Sequence, residues 1–290
     1  MFESISRSIE ILKKSFGVLM SEKKLLVFPL LSGLALIAIF IAFLLPAYAL
    51  NSDIAMIAAL FAFYLVAFFI VIFFNSALVF AVGEKIDGKE VSIGASISFA
   101  LSRIVGIVGW SIVAATVGLI LSMLRSQASK GRGIGAIVAS LVISVIGMAW
   151  SFATFFVVPI IVFEGQGPFS AIRRSIDLVK NSWGEQAIGG LAIGGFFFII
   201  YILGIGLALL TAFVFPGALI FVIPAVIVLF AVVFILQTAL EGVFITELYR
   251  YSTTGQAVVF KDEIEAIKNS FQPQQPQQLR APMQQTPPPF

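Results

Sequence analysis

Apolar residues run almost unbroken through six stretches of this chain, at 25–50, 54–82, 104–124, 134–163, 188–215 and 218–240. Runs of this kind predict transmembrane α-helices, because about 20 apolar residues rising 1.5 Å each cover a hydrocarbon core of about 30 Å. The second and fourth runs would be about 45 Å long, so they must tilt or emerge. A barrel would instead alternate polar and apolar positions over segments of about ten residues. Asn51-Ser52-Asp53 separates the first pair of runs and Pro216-Gly217 the last. The expected fold class is all-α, a polytopic transmembrane helical bundle of about six spans, filling 25–251.

A different pattern precedes the first span. Phe2, Ile5, Ile9, Leu12, Phe16 and Leu19 are spaced three and four residues apart, which gathers them on an arc of about 100°, with Glu3, Arg7, Glu10 and Lys14 pointing away. Residues 1–24 are therefore expected to form an amphipathic helix lying in the membrane interface. A second interfacial helix is expected near 168–183 and a weaker one near 91–103, where Ile93, Ile97, Leu101 and Ile104 carry the spacing.

The first and second of these helices match each other beyond their apolar faces. Phe2, Ile5, Ile9, Leu12 and Phe16 recur as Phe169, Ile172, Ile176, Val179 and Trp183 at a constant offset. Arg7, Ser8, Glu10, Lys13, Ser15 and Gly17 recur as Arg174, Ser175, Asp177, Lys180, Ser182 and Gly184. A second echo sets Asn75-Ser76-Ala77-Leu78 against Gln237-Thr238-Ala239-Leu240. The sequence thus predicts a parallel internal repeat of one interfacial helix plus one helical hairpin, used three times with the middle copy degraded. The plainer alternative is that interfacial helices before hairpins look alike for physical reasons, which covers the apolar matches but not the polar ones.

Composition agrees with a lipid-embedded chain. The hydrophobic fraction is 60%, charged residues are 11% and the mean hydropathy is +1.07. A soluble domain carries roughly a quarter charged residues. With no His and no Cys, disulfides, thiolate metal sites and imidazole chemistry are excluded, and no cofactor is expected. The first 24 residues carry charges throughout, so no cleaved signal peptide is expected.

Basic residues orient the bundle. Arg7, Lys13, Lys14, Lys23, Lys24, Lys85, Lys89, Arg103, Arg173, Arg174, Lys180, Arg250, Lys261, Lys268 and Arg280 fall on one side, and Arg125, Lys130 and Arg132 on the other. Both termini are expected to be cytoplasmic, in a multi-pass protein of the cell membrane. This use of the basic residues leaves no need for a nucleic-acid partner. Membrane lipids are the expected partner, with room beside them for a membrane-protein partner or a homo-oligomer.

Candidate chemistry is sparse. Proton pumps and ion-coupled carriers place charges inside spans, and here Glu164, Glu241 and Arg103 sit at span ends, where interfacial placement is the plain reading. Asn75 and Gln237 lie near equivalent ends of two spans, and with Thr116 and Thr154 they are the candidate intramembrane polar positions, as a solute site or as interhelical hydrogen bonds. Gly190 and Gly194 form a GxxxG, a candidate helix-packing site. The segment from Gly83 to Glu90 imitates a phosphate loop but lacks the Ser or Thr that would hold magnesium, and no strand precedes it. Asp53, Asp87, Asp177 and Asp262 all fall outside the spans, so no catalytic carboxylate pair is expected. At 252–271 a short cytoplasmic segment is expected, in which Ile264, Ile267, Lys268 and Phe271 could make one short surface helix. The Gln- and Pro-rich 272–290 reads as disordered.

Several blocks resemble an uncharacterised multi-span membrane-protein family of bacteria and archaea, a domain of unknown function. They are Phe16-Gly17-Val18-Leu19, Leu26-Val27-Phe28-Pro29-Leu30-Leu31-Ser32-Gly33, Phe74-Asn75-Ser76-Ala77-Leu78, Gly109-Trp110, Ala115-Thr116-Val117-Gly118-Leu119, Phe155-Phe156-Val157-Val158-Pro159, Phe163-Glu164-Gly165 and Ala171-Ile172-Arg173-Arg174-Ser175. The resemblance runs to about Pro273. The interfacial-helix pattern is also similar to membrane domains attached to some glycerophosphodiester phosphodiesterases, without a phosphodiesterase domain in these residues. The resemblance implies a fold and supplies no activity. From the residues, a non-enzymatic lipid- or partner-binding membrane module is expected, with a transporter or channel for a small neutral or amphiphilic solute as the alternative.

Overall fold

The computed structural model describes residues 2–131 and 133–255, with backbone alone at 2–9, 11, 181–192 and 216. The described part is helical and contains no strand. Its helices are α1 (Phe2–Ser21), α2 (Val27–Ala49), α3 (Asp53–Ile86), α4 (Ile93–Ser102), α5 (Ile104–Lys130), α6 (Ile134–Ala153), the single turn α7 (Val157–Pro159), α8 (Pro168–Val214) and α9 (Leu219–Thr254). Among the described residues six segments are long and apolar enough to cross a membrane: Lys23–Ala49, Asp53–Ile86, Ile104–Lys130, Ile134–Glu164, Ile193–Val214 and Leu219–Thr254.

Local chemistry sets the boundaries. The Ser52 hydroxyl accepts from the Ala55 N–H at 3.4 Å and Ser92 from Ala95 at 3.3 Å, capping α3 and α4. Pro168 opens α8 just after Gly167, where a missing N–H costs nothing. The fourth span is interrupted. Pro159 has no N–H to give the carbonyl four residues earlier, and the helix breaks after Ala153 before resuming as α7 and a π-helical turn at Ile160–Glu164.

Several boundaries differ from expectation. The fifth span is not separated from the helix expected near 168–183; α8 runs unbroken for 47 residues, about 70 Å. Nothing between Asn181 and Ile193 removes a backbone donor, whereas Glu22 and Arg103 leave helical geometry ahead of the first and third spans. The sixth span continues past 240 to Thr254, so Glu241 and Glu247 lie within that helix. Helix α1 forms where the spacing predicts one, and among its described side chains Ser15 and Leu19 are buried while Phe16 is 45% exposed. It packs against α8 and α9, with Leu12 and Leu19 of the expected arc against the core.

Consecutive spans pair as hairpins, α2 with α3, α5 with α6 and α8 with α9, and α3 also touches α4, α5, α7 and α9. The buried core gathers at the end of the bundle where α4 and the π-helical turn lie. It is built from Leu25 and Phe28, from Ala77, Leu78, Ala81 and Val82, from Phe156, Val157, Ile160 and Ile161, and from Leu240, Val243, Phe244 and Leu248. The opposite halves of the hairpins expose large apolar side chains such as Ile37, Phe40, Leu45, Ile137, Leu141, Leu207, Phe213 and Phe221. A surface this apolar is stable when hydrocarbon is the solvent.

Close helix contact is made by isolated glycines opposite large side chains. A Cβ on Gly242 of α9 would lie 2.6 Å from Leu78 Cδ2 on α3, and one on Gly83 would lie 2.8 Å from Phe163 Cζ. The 252–271 segment beyond Gly255, the short helix expected around Ile264 and the tail 272–290 lie outside the described residues. So do the side chains of most of the matched repeat pairs.

Candidate functional site

The charged end carries the densest polar chemistry. At the close of the π-helical turn the Glu164 carboxylate accepts three donors: the Tyr249 hydroxyl of α9 at 2.9 Å, Arg174 Nε of α8 at 3.3 Å and Gln166 Nε2 at 2.7 Å. Tyr249 is 6% exposed and its ring stacks on Phe163 with centroids 5.6 Å apart. One carboxylate thus ties the fourth span to the start of α8 and the end of α9. Just behind it, the Phe156 N–H released by the helix break donates to Ser175 Oγ at 3.1 Å, both residues being fully buried.

Further links close the same end. Arg250 of α9 pairs with Asp87 at the end of α3. Lys24 Nζ donates to the Val91 carbonyl at 2.9 Å and lies 3.5 Å from Glu90, which joins the start of the first span to the loop before α4. Lys89 donates to Glu84 at 2.9 Å, and that carboxylate raises the ammonium pKa above its ordinary value. Phe80 and Phe99 stack with centroids 4.0 Å apart, docking α4 on α3.

Beside this lattice lies a pocket of about 260 Å³. Its walls are Ser102, Arg103, Val105 and Gly106 at the α4–α5 junction, Ile161 of the π-helical turn, and the 165–168 segment that leads into α8. Arg103 is held in place from three directions. Its Nε donates to the Val162 carbonyl at 3.3 Å, its guanidinium carbon lies 5.3 Å from the Phe99 ring centroid, and a Cβ on Gly165 would come within 2.6 Å of Nη1. Gly165 also has φ +68°, so this position favours glycine twice over. A second pocket, of about 230 Å³, opens between α3 and α5 and is lined by Leu65, Val66, Phe69, Val108, Ser111 and Ile112. The Ser111 hydroxyl is bonded to the Ile107 carbonyl, so this wall is apolar in effect.

The candidate positions read from the sequence are dispersed. Gln237 accepts from the Tyr201 hydroxyl at 3.2 Å and donates to Glu241 at 2.8 Å, a polar chain between α8 and α9. Asn75 is half-buried on α3 and makes no side-chain hydrogen bond among the described residues. Thr116 is exposed on α5 and donates to its own helix at the Ile112 carbonyl, and Thr154 does the same to Trp150. No hydrogen bond joins any two of these four. A Cβ on Gly194 would meet nothing within 4 Å among the described residues, and the side-chain surroundings of Gly190 lie outside them. Sequence reasoning misses Glu247, which is fully buried on α9, along with Tyr249 and Ser175. A signal for Glu247 exists: it falls three and four residues after Phe244 and Val243, on the stripe that the apolar residues use.

A family model described as "Family of unknown function (DUF6159)" matches residues 54–259. The match spans most of the blocks that carry the resemblance but begins after those around Phe16 and Leu26. No curated protein and no solved structure matches the chain.

Proposed function

The chain belongs to DUF6159, a family of unknown function, and from that premise we propose that it is a non-enzymatic membrane module that binds lipid. In this reading it sits in the cell membrane with both termini in the cytoplasm and its buried core at the cytoplasmic end. The observation that carries the reading is the apolar pocket between α3 and α5, walled by Leu65, Phe69, Val108 and Ile112 and matched in chemistry to an acyl chain. The dispersal of Asn75, Thr116 and Thr154 supports it as well, since a solute path needs convergent polar groups. Purification in mild detergent followed by native mass spectrometry tests it: retained phospholipid or glycolipid is expected, and a lipid-free protein of unchanged thermal stability contradicts it.

The alternative is a transporter or channel for a small neutral or amphiphilic solute. The Tyr201–Gln237–Glu241 chain favours it, because a polar network between spans is the material from which a solute path is built. Solute flux into sealed proteoliposomes that is lost in Gln237→Leu would support this alternative over lipid binding.

A further inference from the structure

We propose that the pocket beside Arg103 binds a phosphate group, with the phosphodiester of a membrane lipid as its source. The inference rests on the lipid-binding reading and names the headgroup chemistry that goes with it.

Arg103 stands at the step between α4 and α5, directly before a span that starts at Ile104. That is the depth of the headgroup phosphates in a bilayer about 30 Å thick across its hydrocarbon. The guanidinium uses Nε on a backbone carbonyl, and among the described residues its two terminal nitrogens have neither a hydrogen-bond acceptor nor a carboxylate partner. A planar fork fixed at one edge and open at the other suits two oxygens of one phosphate. Glu164, next to Gly165 of the pocket wall in the chain, is already engaged by Tyr249, Arg174 and Gln166. Gly165, Gln166, Gly167 and Pro168, the segment leading into α8, complete the wall of the pocket.

Size and surroundings narrow the ligand. A volume of about 260 Å³ is below the roughly 300–1,000 Å³ of pockets that enclose drug-sized molecules, so the site takes a small polar group and not a whole solute. Val105, on the pocket wall, is 84% exposed, and Val108 and Ile112 continue the same exposed stripe along α5 into the span. A ligand with its anion at Arg103 has apolar surface beside it for a chain. Free inorganic phosphate shares the anion chemistry but gains nothing from that stripe.

The test is a thermal shift on the full-length protein in a neutral detergent. Phosphatidylglycerol, a neutral diglucosyl diacylglycerol and inorganic phosphate are titrated separately. Phosphatidylglycerol is expected to raise the melting temperature saturably, the glycolipid to do so at least tenfold more weakly, and phosphate to compete. Arg103→Gln should weaken phosphatidylglycerol by roughly tenfold to a hundredfold, the worth of a charge-assisted hydrogen bond or two, with Arg103→Lys in between. Equal response to phosphatidylglycerol and glycolipid sinks the phosphate site and leaves the lipid reading standing. A response to inorganic phosphate with none to either lipid keeps the anion site and overturns the lipid as its source. The comparison of headgroups needs only the wild-type protein, so it decides the matter even if the Arg103 variants do not fold.

Discussion

The Tyr249 hydroxyl donates to Glu164 Oε1 at 2.9 Å, across 85 residues of chain. Through this bond the last turns of the sixth span hold the end of the fourth. Removing the hydroxyl alone, in Tyr249→Phe, should cost about 1.5–3 kcal/mol, the usual worth of a hydrogen bond to a charged group. The Phe163 stack would persist, so Tyr249→Ala should cost more, about 3–5 kcal/mol. Unfolding followed in detergent reads both, and a Tyr249→Phe protein as stable as wild type would show that Glu164 is satisfied without it.

Ser175 has a narrower task. Its hydroxyl is the partner of the N–H that the break at 154–156 leaves free inside the core. Ser175→Ala should cost about 1–3 kcal/mol through an unsatisfied buried donor. Ser170→Ala, on the exposed side of the same helix, should change stability by less than about 0.5 kcal/mol. Amide exchange at Phe156 should accelerate in the first variant and not in the second.

The glycines divide by what faces them. Gly242→Ala drives a Cβ into Leu78, itself fully buried, and should destabilise by about 1–3 kcal/mol. Gly83→Ala presses on the Phe163 ring and through it on Tyr249, with a cost of similar size. Gly194→Ala meets nothing, and its better helix propensity should leave stability unchanged or improved by up to about 1 kcal/mol. Melting temperatures of the three variants settle the order. A destabilising Gly194→Ala would place a partner, such as a second copy of this chain, against that face.

The Arg250–Asp87 pair joins the ends of α9 and α3 and is partly exposed on both sides, so Asp87→Asn should cost no more than about 1 kcal/mol. Its effect should shrink as salt is raised. Exchanging the two residues should restore most of the loss, which a double-mutant cycle measures directly.

Much of the architecture is legible in the residues, and what is not has a common cause. Six spans follow from run length, and the turns at Asn51–Ser52 and Pro216–Gly217 from residues that disfavour helix continuation. The junction inside α8 is not where the pattern changes, because amphipathicity reports a change of surroundings, and a chain passing from interface to hydrocarbon need not bend. Gly190 and Gly194 stand out in the sequence because a GxxxG is visible within one helix. Gly83 and Gly242 owe their roles to Phe163 and Leu78, which are distant in sequence and brought close only by the fold. Gln237 is expected to need partners and has two, Tyr201 and Glu241. Its expected counterpart Asn75 makes no side-chain hydrogen bond among the described residues. Arg103 is legible as an interfacial cation. The pocket around it is not, since its walls come from α5, the π-helical turn and the start of α8.

An even number of membrane crossings underlies all of this, and the absence of cysteine from the sequence makes it directly measurable. Single cysteines are placed at Ser52, between the first two spans, and at Thr254, at the end of α9, and probed with a membrane-impermeant maleimide in sealed, oriented vesicles. The six-span arrangement predicts that the two positions react from opposite faces of the membrane; reaction of both from the same face would contradict it.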